Sequence, residues 1–112
     1  VIFAWGHRIY NPERIEIPPQ LISHEAVHGH RQGRDIEGWW RRYIDEPAFR
    51  LAEEIPAHQA EYLAMVELAI NRNERRRALK TVAKRMAGPL YGALITASQA
   101  RATLAGHMRN TT

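Results

Sequence analysis

Proline and glycine cut this chain into segments that suit a small helical domain and little else. Pro18-Pro19 ends an apolar N-terminal stretch and suits the first turn of a helix, where proline's missing amide hydrogen is not needed. Gly33 stands where that helix should stop, with Arg31 nearby to complement the helix dipole. Pro47 steers the residue before it away from helical angles, separating a short aromatic helix over residues 38–44 from a long helical pattern over about 47–71. In that pattern Phe49, Leu51, Ile55, Leu63, Val66 and Ile70 recur at roughly helical intervals, and Pro56 predicts a kink or a break. A basic helix over 74–87 is closed by Gly88-Pro89. Thr96 and Gln99 then fit a capping box for a last helix reaching about Gly106, with 107–112 expected to fray.

Ahead of these helices, two apolar runs, 1–5 and 15–17, are separated by Gly6-His7-Arg8 and Asn11-Pro12. They read as a β-hairpin or two irregular strands. The expected fold is therefore mainly α with a small N-terminal β-element (α+β). One domain spans 1–112, comprising the β-element (1–17), a central helical part (18–70) and C-terminal helices (72–106). At 112 residues the core is modest, and a metal or a partner subunit would add stability.

The chain has no cysteine, which excludes disulfides, thiol nucleophiles, cysteine zinc fingers and iron–sulfur sites; any metal must be held by His, Asp and Glu. The longest apolar stretches fall far short of the ~20 residues a membrane span requires. Val-Ile-Phe-Ala-Trp at the N-terminus lacks a basic lead and is too short for a signal-peptide core, so a cytoplasmic setting is expected.

His24-Glu25-Ala26-Val27-His28 carries the chemistry. At about 100° per residue, two histidines four apart lie only ~40° apart on a helix face, so both imidazoles reach one ion. Glu25, ~100° round, is placed to act on a metal-bound water rather than to bind the metal. Shuffling this composition would produce the pattern in roughly 3% of chains, before asking that it fall on a helix, so coincidence is the poorer reading. A catalytic zinc needs a third protein ligand and an open position; the next helix offers Glu53, Glu54, His58 and Glu61.

The motif, with a glutamate on a downstream helix, resembles the gluzincin branch of zinc metalloproteases. The short, basic, disulfide-free chain is similar to small HExxH proteins of phages and prophages. The resemblance implies a stripped-down zincin, in which a small β-element packs on the active-site helix and a second helix brings the third ligand. It implies zinc on His24, His28 and Glu54, with Glu53 and Glu61 as the other candidates, and Glu25 as general base for peptide hydrolysis. Gluzincins commonly carry an acidic residue one turn after the ligand Glu that holds a zinc-bound His; here that place is His58, which departs from the pattern and would close the site if it were a fourth ligand. Metzincin spacing is excluded by Arg31 and Arg34, and Asp35 is a minor aspzincin-type candidate. Tyr10, Tyr43, Tyr62, Tyr91, His58 or an arginine could stabilise an oxyanion. By analogy with zincins, the edge near residues 1–5 could pair with an extended peptide substrate. A phage origin would place the protein in the host-cell cytoplasm or the virion.

Other signals are weaker. His30 lies ~240° from His24, away from the ligand face. His7 and His107 have no spacing partner, and Trp39, Trp40 and Tyr43 suit a core better than a cleft wall. Arg72, Arg76, Lys80 and Lys84 span one broad face of the basic helix. This suggests a second class of function, a metal-stapled binding protein contacting nucleic acid or a virion partner, although the net charge of only +4 also fits a solvated face.

Overall fold

The computed structural model describes the backbone of residues 1–111 and the side chains of residues 1–106. Two strands, β1 (Phe3–Trp5) and β2 (Arg8–Tyr10), precede five helices: α1 (Pro19–Gln32), α2 (Ile36–Asp45), α3 (Pro47–Leu68), α4 (Arg72–Met86) and α5 (Ala97–Thr111). A short 3-10 turn, Pro89–Tyr91, joins α4 to α5. The chain is mainly α with a small N-terminal β-element, as the segment pattern predicts. No helix among the described residues is long and apolar enough to cross a membrane.

The hairpin is tighter than the apolar runs suggest. Its strands pair antiparallel, Phe3 with Tyr10, Ala4 with Ile9 and Trp5 with Arg8, around Gly6-His7. Gly6 at φ 61° supplies the positive angle that a two-residue hairpin turn demands. Residues 15–17, expected as the second strand, are irregular. The local turn has already paired β1, and Asn11 then ties off the chain through its side chain, donating to the Ile15 carbonyl and accepting from the Ile15 amide.

Pro18, in extended geometry, caps α1 with Pro19 in its first turn, and Gly33 at φ 62° ends it. The hairpin docks on this helix through one residue, Gln32. Its amide accepts from the Gly6 N–H at 2.7 Å and donates to the Ala4 carbonyl at 2.8 Å. Gly29 makes the approach possible: a Cβ there would stand 2.0 Å from the Gly6 carbonyl oxygen.

Helix α3 runs through Pro56 without the break that was one of the two expectations there. Proline removes only one amide donor from the helix, and buried residues anchor it on both sides: Glu53 and Glu54 before it, His58 and Glu61 after it. It stops at Leu68 rather than near residue 71, because the Asn71 side chain caps α4 by accepting from Glu74 N–H at 3.0 Å. One side of α3 faces α1, with Ala57 fully buried and small enough for close approach. The other side contributes Tyr62, Met65 and Val66 to an apolar core with Val82, Met86 and Leu104 of α4 and α5. The Thr96–Gln99 capping box forms in both directions, and α5 extends past Gly106 to Thr111. Residue 112 and the side chains of 107–112, His107 included, lie outside the described residues.

Candidate metal centre

His24 and His28, one turn apart on α1, both point at Glu54 of α3. The three contacts form a small triangle: His24 Nε2 to Glu54 Oε1 at 2.9 Å, His28 Nε2 to the same oxygen at 3.0 Å, and the two Nε2 atoms 3.2 Å apart. All three residues are buried. Four-coordinate zinc, with bonds of about 2.0–2.1 Å, needs donor atoms roughly 3.3 Å apart, a few tenths more than the triangle shows.

Donor chemistry points to a cation at this position. His24 Nδ1 lies 2.9 Å from Glu61 Oε1, so it carries a proton and donates to that carboxylate. In the neutral imidazole Nε2 is then a bare lone pair facing a carboxylate oxygen and a second imidazole nitrogen. Lone pairs converging at this range need a positive charge between them, whether proton or metal. A buried His24–Glu54–His58 group among the described residues could hold a metal ion, and His28 brings a further nitrogen to it.

Each remaining candidate has a distinct place. Glu53, 100° round the helix from Glu54, turns away from the histidines. It accepts two hydrogen bonds from Arg31, at 3.1 and 2.8 Å, and one from the Trp39 indole at 2.7 Å. Burial pushes Glu53 upward, but those bonds outweigh it and hold the carboxyl below its usual range. Glu61 stands behind the imidazoles rather than among their Nε2 atoms. It receives His24 Nδ1 and, at 3.1 Å, His58 Nδ1 on one oxygen and the Arg85 guanidinium on the other. A carboxylate supporting a histidine through its second nitrogen is the arrangement that orients metal-binding imidazoles. The sequence reading sought this role one turn after Glu54; the residue in the position to fill it lies two turns on.

His58 sits farther out, with Nε2 3.7 Å from Glu54 Oε1 and 3.0 Å from the Tyr91 hydroxyl. Burial, and then His24, pull its pKa down to about 3, so it is a neutral imidazole donating through Nδ1 and accepting from Tyr91. Tyr43 donates to Glu54 Oε2, leaving Oε1 to the histidines. Burial and the Glu54 charge raise both Tyr43 and Tyr91, so each hydroxyl keeps its proton. For Glu54 itself, burial acts upward and is outweighed by His24 and His28 when a proton lies between their Nε2 atoms and the carboxylate, which holds the carboxyl far below the usual range.

Glu25 is buried beside this cluster, 7% exposed, and makes no side-chain hydrogen bond among the described residues. Burial raises its pKa, against the opposing pull of His24 and His28. A carboxylate with free lone pairs and raised basicity next to three converging donors is equipped to take a proton.

Other candidates lie elsewhere. Tyr62 packs in the apolar core, and Tyr10 is exposed on β2, stacked against Phe3. Asp35 caps α2 by accepting from Gly38 N–H. His7 and His30 are exposed. Trp39 is buried with its ring 5.4 Å from His28, as core rather than cleft wall. The edge of β1, expected to be open to a peptide, is occupied at Ala4, whose carbonyl accepts from both Gln32 and the Trp40 indole. Sequence reasoning missed Arg85, which it grouped with the basic helix. The available signal was angular: Arg85 lies ~140° from Arg72 and ~100° from Lys84 round the helix, off the Arg72–Lys84 row.

No protein-family model, curated protein or solved structure matches this chain.

Proposed function

We propose that the protein is a minimal zinc metallopeptidase of gluzincin type, with zinc held by His24, His28 and Glu54. The observation that carries this reading is the convergence of two Nε2 atoms and one carboxylate oxygen within 3.2 Å, with the unpaired, buried Glu25 beside them. Zinc bound there supplies a Lewis acid that makes water nucleophilic near neutral pH and polarises an amide carbonyl. Glu25 accepts the proton of the attacking water and delivers it to the leaving amine, a transfer favoured by its raised basicity. Glu61 keeps His24 in the tautomer that presents Nε2, and Arg85 fixes Glu61 in turn. Tyr43 and Tyr91 keep their protons beside Glu54, and one of them would stabilise an oxyanion by turning its hydroxyl from Glu54 or His58 to the substrate.

Metal content by mass spectrometry, read together with hydrolysis of a peptide library, tests this reading. One equivalent of zinc is expected, lost in His24→Ala, His28→Ala and Glu54→Ala. Glu25→Gln should keep the metal and lose hydrolysis. Hydrolysis surviving in Glu25→Gln would remove the residue from its role, and protein that takes up no zinc when supplied with it would overturn the whole reading.

A further inference from the structure

The net charge of +4 conceals a strong division. Residues 1–71 carry 7 Lys/Arg against 11 Asp/Glu, whereas residues 72–112 carry 9 against 1. The boundary coincides with the start of α4. We propose that the groove between α4 and α5 binds the phosphate backbone of a nucleic-acid duplex without reading its sequence.

The groove is built from both helices. Leu79, Ala83 and Ala105 line it, while Arg72, Arg76, Lys80 and Lys84 form one rim and Arg101 of α5 the other. The α4 residues follow each other at intervals of four, so the row is roughly 18 Å long with a cation every ~6 Å. All five cations are exposed, and the ion pairs that arginines make among the described residues use Arg31, Arg42 and Arg85 instead. The single acid of this half, Glu74, is turned to the helix start, where it accepts the Ile70 amide. Among the described residues no carboxylate pairs with the row.

A duplex backbone suits this surface better than other polyanions. The aromatic residues at the groove or in 72–106 are Tyr62 and Tyr91, and both are buried, so unpaired bases have no exposed ring to stack on. Val82 and Met86, the large apolar residues of α4, are spent in the core, so the helix has no apolar face to insert into a bilayer. An acidic protein partner would want a large apolar anchor at the centre of the site; here Tyr62, Val66 and Leu79 stand at one end of the groove, and along Lys80, Lys84 and Arg101 the apolar lining is only Ala83 and Ala97. A regular row of cations with no such features matches a regular row of phosphates, and binding of this kind is carried by counterion release.

The test is fluorescence anisotropy of the whole protein with a labelled 20-base-pair duplex of arbitrary sequence, titrated at several salt concentrations. Four to five neutralised phosphates predict a slope of log affinity on log salt of about −4, which is roughly a 250-fold loss between about 50 and 200 mM. The triple variant Arg76→Gln/Lys80→Gln/Lys84→Gln should flatten the slope by about 2.7. The control Arg8→Gln/Arg14→Gln/Arg41→Gln, which removes the same charge from exposed positions in the acidic half, should leave the slope as it was. Circular dichroism checks that both variants keep their helices. No binding at low salt, or equal flattening by both variants, overturns the proposal. Polyglutamate competing as well as the duplex would reassign the groove to an acidic protein, and phosphatidylglycerol vesicles doing so would reassign it to a membrane. Zinc plays no part in the measurement, so the result stands apart from the metallopeptidase reading.

Discussion

Replacing Glu61 with glutamine separates a supporting carboxylate from a metal ligand. Glu61 is 2% exposed, with one oxygen receiving His24 Nδ1 at 2.9 Å and His58 Nδ1 at 3.1 Å and the other receiving Arg85. Glutamine keeps the volume but has one acceptor oxygen. With that oxygen towards the imidazoles, its NH2 confronts the Arg85 guanidinium; flipped, it confronts two imidazole donors. Either way one set of charge-assisted hydrogen bonds is lost in a buried place, which costs about 2 kcal/mol in the metal-free protein. Removing the carboxylate behind His24 also lowers the basicity and order of its Nε2, for which about a 10- to 100-fold loss of zinc affinity is expected. The assay is a zinc titration against a chromophoric chelator at fixed pH, comparing wild type with Glu61→Gln and Glu54→Gln, with urea unfolding of the metal-free forms alongside. Affinity unchanged in Glu61→Gln would refute the support argument. A loss as deep as that of Glu54→Gln, beyond about 1,000-fold, would make Glu61 itself a ligand.

Arg31→Ala strips Glu53 of two of its three donors and should destabilise the fold by about 1–3 kcal/mol in urea unfolding while leaving zinc stoichiometry intact; a change in stoichiometry would tie Glu53 to the metal after all. Gly29→Ala drives a methyl into the Gly6 carbonyl and is expected to cost about 1–3 kcal/mol, so an unaltered melting temperature would contradict the close docking of hairpin on α1. In metal-free protein, Glu25 has a folded pKa above its ordinary 4.5, so its contribution to stability is present below that value and is lost as pH rises through the folded value. Thermal melts should therefore show Glu25→Gln more stable than wild type at pH 7 and not at pH 4; an equal shift at both would sink this account. Chelation of zinc from loaded protein should lower the melting temperature, since binding to the folded form alone stabilises by about 2.7 kcal/mol at 100 times the dissociation constant.

Local periodicity explains why the α1 part of the site was readable. His24, Glu25 and His28 share one helix, so their relative angles follow from spacing alone. Glu53, Glu54 and Glu61 were not separable in that way, because which of them meets the histidines depends on how α3 is rotated against α1. The resemblance favoured Glu54 over the other two, and their separate places show only in contacts 14 to 37 residues apart in sequence, among them Trp39 with Glu53 and His24 with Glu61. Arg85 needed the docking of a third helix and left only its off-row angle as a sign. In the N-terminal region the apolar run at 15–17 drew the second strand away from Arg8–Tyr10, since residue type outweighed the two-residue turn at Gly6. Helix ends marked by proline, glycine or a capping box fell close to their predicted places, and the unmarked end of α3 did not, since Asn71 belongs to the following helix.

The glutamine that ties the hairpin to α1 has a further meaning for what can approach the edge of β1. Gln32 offers Ala4 and Gly6 a donor and an acceptor in the places where a neighbouring strand would present its own backbone, so a side chain of α1 acts as a one-residue surrogate strand. The edge at which an extended chain could add as a further strand is thereby filled from within. An extended chain arriving at this border would have to displace both the Gln32 amide and the Trp40 indole, and Gln32→Ala would free only the Gly6 N–H and one of the two bonds at the Ala4 carbonyl.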